Sequence, residues 1–266
     1  MIVTCAHGNV RNRGNQIKDG GRPYGRKMRA AAYSSGLISQ IINLLFPSDC
    51  PVCGRTTDTF ATAPFCVACW CGIAKYTGPS CKICATPFSS EYAEICSDCL
   101  KRPPLFSKAV SFGIYKDTLS EAINLFKFHG IKRLHKPLGN LLLDFDMGGI
   151  EAIVPVPLSI RGLRSRGFNQ SLLLAKTISD KKNIPLVMDG LFKKVETPPQ
   201  IGLSAKERTK NLRGAFVAAR QFRGRRILLV DDVMTTGATA NECSKQLIKA
   251  GASEVVALTL ARAAAF

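Results

Sequence analysis

From residue 109 onward the chain switches repeatedly between apolar runs of strand length and apolar positions at helical spacing. Runs at 109–115, 150–156, 184–188, 227–230 and 254–260 predict strands, the last of them closing the sheet. Helices are predicted over 119–128, with Leu119, Ile123 and Phe126 on one face, over 170–178, and over 240–250. The 227–230 run, Ile-Leu-Leu-Val, is too uniformly apolar to be a half-exposed strand, so it reads as buried. Further upstream, Leu37, Ile41, Leu44 and Leu45 suggest a short amphipathic helix. Residues 1–35 are rich in Gly, Asn and Arg and show little periodicity; Met28 is an alternative start.

Composition narrows the class. At 266 residues there is room for one α/β domain of ordinary size and a smaller module. The hydrophobic fraction of 46% fits a globular chain. The longest apolar stretch, 36–46, is interrupted by Ser39, Gln40 and Asn43 and is too short to span a bilayer. No signal-peptide core precedes a cleavage pattern, so a cytoplasmic protein without membrane insertion is expected. A net charge of +18 calls for a polyanionic partner or substrate. Residues 101–266 hold 27 Lys and Arg against 13 Asp and Glu, more than one small anionic substrate requires. That surplus suits nucleic acid, although aromatics are only 8% and do not interleave with the basic runs.

Eight of the eleven cysteines form four Cys-x-x-Cys pairs: Cys50/Cys53, Cys66/Cys69, Cys81/Cys84 and Cys96/Cys99. Disulfides are disfavoured in the cytoplasm, and each knuckle presents two thiolates to a tetrahedral ion, so the spacing points to structural zinc. A segment this poor in large aliphatics needs metal to fold. Simple order assigns Cys50, Cys53, Cys66 and Cys69 to one site and Cys81, Cys84, Cys96 and Cys99 to a second. Crossed pairing and a single zinc site stay open, with redox pairs as the competing use. Cys71 breaks the pattern and reads as a free thiol, and Cys243 as a buried apolar residue. Lys101-Arg-Pro-Pro104 reads as a linker.

The candidate chemistry gathers around Ile227-Leu-Leu-Val-Asp-Asp-Val-Met-Thr-Thr-Gly-Ala-Thr239. Asp231 and Asp232 follow the apolar run at its C-terminal end, and a Thr-Thr-Gly-Ala-Thr turn opens into the next helix. Hydroxyls and backbone N–H groups at a helix N-terminus hold a phosphate, and Gly237 lets the backbone approach closely. Adjacent carboxylates accept hydrogen bonds from vicinal ribose hydroxyls, directly or through a divalent metal. Taken singly, each feature is as well explained by a solvated acidic turn with a threonine cap. Pro155-Val-Pro-Leu158 makes a rigid turn at another strand's C-terminal end, where ligands collect in open α/β sheets. After it come Arg161, Arg164 and Arg166, with Gly162 and Gly167 as pivots, read as a mobile loop able to close over a pyrophosphate.

The 227–239 segment closely resembles the motif by which type I phosphoribosyltransferases bind phosphoribosyl pyrophosphate (PRPP). The resemblance implies that Asp231 and Asp232 bind the ribose 2′- and 3′-hydroxyls, and that Thr235, Thr236, Gly237, Ala238 and Thr239 bind the 5′-phosphate. Ahead of it, in order, stand Cys50-Pro-Val-Cys-Gly54, Pro155-Val-Pro-Leu158, Arg164-Ser-Arg-Gly-Phe-Asn-Gln170 and Leu203-Ser-Ala-Lys-Glu-Arg208 with Asn211. Together these resemble the ComF family of zinc-ribbon, phosphoribosyltransferase-like proteins linked to DNA uptake in natural competence, over roughly residues 37–263. The resemblance implies a parallel-sheet α/β fold of the type I phosphoribosyltransferase kind behind a small double zinc-ribbon module. It divides the chain into a tail at 1–35, a helix, ribbon module and linker at 36–104, and the phosphoribosyltransferase-like domain at 105–266. It further implies pyrophosphate contacts at Val156, Pro157, Leu158, Arg164 and Arg166, a lid over 200–211, and Mg²⁺ bound with PRPP. A family-like arginine before the lid is replaced by Lys193 and Lys194, which grip a carboxylate or phosphate less well. Two functions follow: Mg²⁺-dependent phosphoribosyl transfer to an unknown acceptor, or non-enzymatic handling of single-stranded DNA or competence-machinery proteins with PRPP as a ligand.

Overall fold

The structure, a computed structural model, describes residues 48–57, 59–195 and 211–263. The expected tail at 1–35, the helix around 37–45 and residues 200–210 of the lid lie outside them. The chain divides into two compact units, one up to Val67 and one from Ala68 onward. In the first unit, the 50–55 knuckle is closed by Cys50 N–H donating to the Arg55 carbonyl and Gly54 N–H to that of Cys50, both at 2.8 Å.

The second unit begins inside a short helix, α1 (Val67–Cys71), and continues with α2 (Ser97–Lys101). It then builds a four-stranded sheet from β1 (Lys108–Ile114), β2 (Ala152–Pro155), β5 (Arg226–Met234) and β6 (Glu254–Arg262). The order is β1-β6-β5-β2, and every neighbouring pair is parallel. All four C-terminal ends therefore lie along one edge. The 254–262 strand does not close the sheet at a margin but runs between β1 and β5. Only a strand covered on both faces can be so apolar, and its core residues Val255, Ala257, Leu258 and Leu260 are all buried.

Between β1 and β2 come α3 (Asp117–Phe128) and α4 (His135–Leu141). After β2 stand α5 (Ile160–Arg166) and α6 (Gln170–Lys182). The 184–188 run is not a full strand: it meets β2 by a single bridge, Leu186 to Ile153, because the left-handed Asn183 has just ended α6 and little length remains. β3 (Leu191–Lys193) and β4 (Phe216–Ala218) form an antiparallel pair flanking the insert, and α7 (Ala238–Lys249) links β5 to β6. Ile227 and Leu229 share a core with Ala240, Cys243 and Leu247 of α7. Strand alternation sends Leu228 and Val230 to the other face, and α6 packs on β2 and β5. β5 runs four residues past the apolar run, because pairing with β6 continues through Asp231–Thr259, Val233–Ala261 and Met234–Arg262. Backbone pairing along the full length of β6 outweighs the polar side chains there. No helix of the described residues is long and apolar enough to cross a membrane.

Candidate functional site

Asp231 and Asp232 lie near the C-terminal end of β5, followed within the strand by Val233 and Met234, and each is held by a different helix. Asp231 accepts a hydrogen bond from the Ser171 hydroxyl at 2.9 Å, while Asp232, 5% exposed, takes the Lys127 ammonium at 2.8 Å. Burial, then the neighbouring Asp232 charge, push the Asp231 carboxyl up to about 7, against the pull of Lys127 and of the bonds from the Asp232 N–H and Ser171. Two adjacent carboxylates, the first raised by burial and by its neighbour's charge, present hard oxygen donors to a divalent cation.

Three residues further on, the 235–239 loop turns into α7. Gly237 is the N-cap residue at φ 77°, a left-handed conformation that a side chain would strain, and it brings no capping side chain of its own. Thr235 and Thr236 are exposed, and the Thr236 hydroxyl accepts from the Ala238 N–H at 3.3 Å. The helix N-terminus is thus left with its partial positive end toward the carboxylates' edge of the sheet.

The Pro155-Val-Pro-Leu158 turn leaves β2 beside β5, since the Val156 N–H still donates to the Val230 carbonyl at 2.9 Å. Asn169, the N-cap of α6, accepts from the Leu172 N–H and donates its amide to the Val156 carbonyl at 3.0 Å. Val156 is buried, and Pro157 and Leu158 are half-buried.

The arginine segment is a helix rather than a loop. Ser159 caps α5 through the Gly162 N–H at 3.1 Å, and Gly167 at φ 72° terminates it, so the two glycines serve the helix and its cap. Arg166 reaches the site: Nη1 donates to Gln170 at 3.2 Å, and Gln170 donates to the Lys127 carbonyl at 3.3 Å. Its guanidinium also lies 5.1 Å from the exposed Phe128 ring. Arg164 is exposed and is not drawn into this network. Lys127 and Ser171 carried no signal of this role, because each is an ordinary helix residue whose partner lies 60 to 105 positions away.

The cysteines gather as two groups, Cys50, Cys53, Cys66 and Cys69, and Cys81, Cys84, Cys96 and Cys99, with sulfurs within 4.8 Å of one another in each. Cys53 and Cys66 sulfurs lie 3.7 Å apart, and Cys84 and Cys96 sulfurs 3.6 Å. Zn–S bonds of about 2.3 Å in a tetrahedron set sulfurs about 3.8 Å apart, so the groups fit zinc. The second knuckle repeats the first: Cys81 N–H donates to the Thr86 carbonyl and Ala85 N–H to that of Cys81. Burial raises the Cys84 thiol, but bonds with Thr86 and Cys99 and the Arg262 charge bring it down to about 7. Cys71, read as free, is disulfide-bonded. Cys243 is fully buried, as expected, and burial drives its thiol well above the usual range.

A family model described as "Double zinc ribbon domain" matches residues 41–100. The chain is 40% identical over 197 residues to "Competence protein F" of Haemophilus influenzae, covering 70% of this chain and 85% of that protein. "DNA utilization protein YhgH" of Escherichia coli is 31% identical over 80% of this chain and 89% of its own length. "Competence protein ComFC" of Bacillus subtilis is 28% identical over 74% of this chain and 83% of its own. Among solved structures, the glutamine PRPP amidotransferase of B. subtilis matches 47% of this chain, and a quarter of its own, at 26% identity and a TM-score of 0.34. A purine phosphoribosyltransferase of Pyrococcus horikoshii matches 56% of this chain and 87% of its own at 19% identity and 0.25. With the all-parallel sheet, the two four-cysteine groups and relatives matched over most of their length, the chain belongs to the ComF family of competence and DNA-utilization proteins.

Proposed function

We propose that this protein binds PRPP with Mg²⁺ and transfers its phosphoribosyl group to an acceptor in the handling of DNA taken up during competence. The observation that carries the reading is the meeting, at the C-terminal edge of one parallel sheet, of the Asp231–Asp232 pair, the Thr235–Thr239 loop and the Val156–Leu158 turn. The N-terminus of α7 and the threonine hydroxyls hold the 5′-phosphate. Asp231 and Asp232 orient the ribose through its 2′- and 3′-hydroxyls, and their charge favours the positive charge that grows at the anomeric carbon. The backbone of Val156, Pro157 and Leu158, with Arg164 and Arg166, receives the pyrophosphate. Asp231 and Asp232 would hold Mg²⁺, which when bound supplies charge neutralisation for the departing pyrophosphate. We assign this site to a phosphoribosyltransferase-like domain at 105–266, which follows a zinc-ribbon module at 36–104 in the chain.

Calorimetric titration of PRPP with Mg²⁺ tests the proposal, alongside the double variant Asp231→Ala, Asp232→Ala. Binding that the variant loses is expected, and no binding by the native chain would sink the reading.

The basic surplus of residues 101–266 favours a second reading, non-enzymatic handling of single-stranded DNA or of competence proteins in the cytoplasm. Steeply salt-dependent binding of a single-stranded oligonucleotide that survives the double Asp change would place that reading first.

A further inference from the structure

Arg262 ends β6 and is only 6% exposed, yet among the described residues no carboxylate pairs with its guanidinium. Its donors go to neutral oxygens from two parts of the second unit. Nε donates to the Cys84 carbonyl at 3.0 Å and Nη2 to the Thr86 hydroxyl at 2.7 Å. Nη1 donates to the Met234 carbonyl at 3.0 Å and to that of Ala263 at 3.3 Å. Cys84 belongs to the second four-cysteine group, and its sulfur lies 3.0 Å from the same Thr86 hydroxyl. Met234 is the residue immediately before Thr235.

One planar fork therefore fixes both the knuckle of a metal site and the root of the phosphate loop. Lysine could not do this, having a single point charge in place of a rigid set of directions. The packing runs the same way: Cys81, Cys84 and Cys99 share one core with Phe106, Met234, Ala240 and Cys243. The Phe106 ring lies 3.8 Å from where a β-carbon on Gly237 would stand. A guanidinium buried among neutral carbonyls keeps its place only while those carbonyls keep theirs.

We infer that Arg262 is a positioning residue that couples the second four-cysteine site to the Thr235–Thr239 loop, so that losing metal from that site loosens the loop and weakens its hold on a phosphorylated ligand. The ligand half of the statement rests on the PRPP reading; the coupling does not.

Hydrogen exchange on the full-length, zinc-loaded protein separates the two. Arg262→Met, Cys99→Ser and the milder Thr86→Val should each speed exchange across residues 234–241 about tenfold or more, with α6 unchanged. Cys50→Ser, which leaves every contact of Arg262 in place, should not. The same three variants should weaken PRPP–Mg²⁺ binding by a similar factor, measured by calorimetry. The coupling is refuted if Cys99→Ser loses metal while the loop keeps its protection, or if Arg262→Met loosens it no more than Cys50→Ser does. Should Arg262→Met fail to fold, Thr86→Val decides alone. Loop exchange that responds as stated in a chain that never binds PRPP would uphold the coupling and overturn the reading of the ligand.

Discussion

Lys127, at the end of α3, places its ammonium 2.8 Å from both carboxylate oxygens of Asp232 on β5, 105 residues away. The pair is unequal in burial, with side chains 19% and 7% exposed respectively. One carboxylate of the candidate site is thus neutralised from the end of a helix whose Leu119, Ala122, Ile123 and Phe126 build the core.

That inequality makes the two halves of the pair cost different amounts to remove. Lys127→Met strands a buried carboxylate and should destabilise the fold by about 3 kcal/mol. Asp232→Asn leaves a lysine that reaches water along its stem and should cost about 1 kcal/mol. Urea denaturation at pH 8 measures both, and equal losses would show that Asp232 is better solvated than its burial implies.

Asp231 carries a pH dependence of definite sign. Its folded-state value of about 7 lies above the ordinary carboxylate value near 3.9, so between these limits the folded chain keeps a proton that the unfolded chain has lost. Stability should fall as pH rises through that window, by at most about 4 kcal/mol. Asp231→Asn should flatten the profile and raise the melting temperature at pH 8. It should also abolish PRPP binding, a gain in stability at the expense of function. Melting curves from pH 5 to 8 that overlay for the two proteins would contradict the assignment.

The repeated knuckles offer a paired test of backbone strain. Gly54 at φ 69° and Ala85 at φ 56° occupy the same place in the two ribbons, and only alanine suffers there. Ala85→Gly should stabilise the zinc-loaded protein by about 0.5–1 kcal/mol, and Gly54→Ala should destabilise it by about 1 kcal/mol. No heavy atom lies within 4 Å of a β-carbon built on Gly54, so the second effect would be conformational rather than steric. Thermal melts of both variants read the signs directly.

Zinc content should report the cysteine pairing. Atomic absorption should find two ions in the native chain and one in either Cys50→Ser or Cys99→Ser, with lower solubility in each. A variant that loses both ions, or neither, would break the division into two independent four-cysteine sites.

Local signals in the sequence were strong where chemistry depends on neighbours along the chain. Four Cys-x-x-Cys pairs, a strand running into Asp231 and Asp232, and a glycine in the turn that opens into α7 are all short-range patterns. Each survives folding unchanged because its geometry is closed within a few residues. The apolar run at 227–230 likewise announced a strand covered on both faces. Its extension to Met234 was hidden, since it depends on the length of β6 rather than on any residue of β5. The three arginines looked like a loop because charge density says nothing about Ser159 and Gly167 capping a helix around them.

The sequence by itself determined the four Cys-x-x-Cys knuckles, the main alternation of strands and helices, and the apolar strand that runs through the Asp pair into a threonine-glycine turn and a helix, because these rest on spacing and backbone preference. Tertiary structure alone decided which side chains share the site. Lys127, Ser171 and Gln170 reach the carboxylate edge from two separate helices, and Arg262 joins a ribbon to a strand end across 178 residues. The arginine that directly follows the apolar stretch of β6 was the one trace of that last role, since a charge is buried only where partners await it. Hydrogen-bond partners so distant in sequence are chosen by how helices pack on the sheet, and that packing is written in the sum of many contacts rather than in any one stretch.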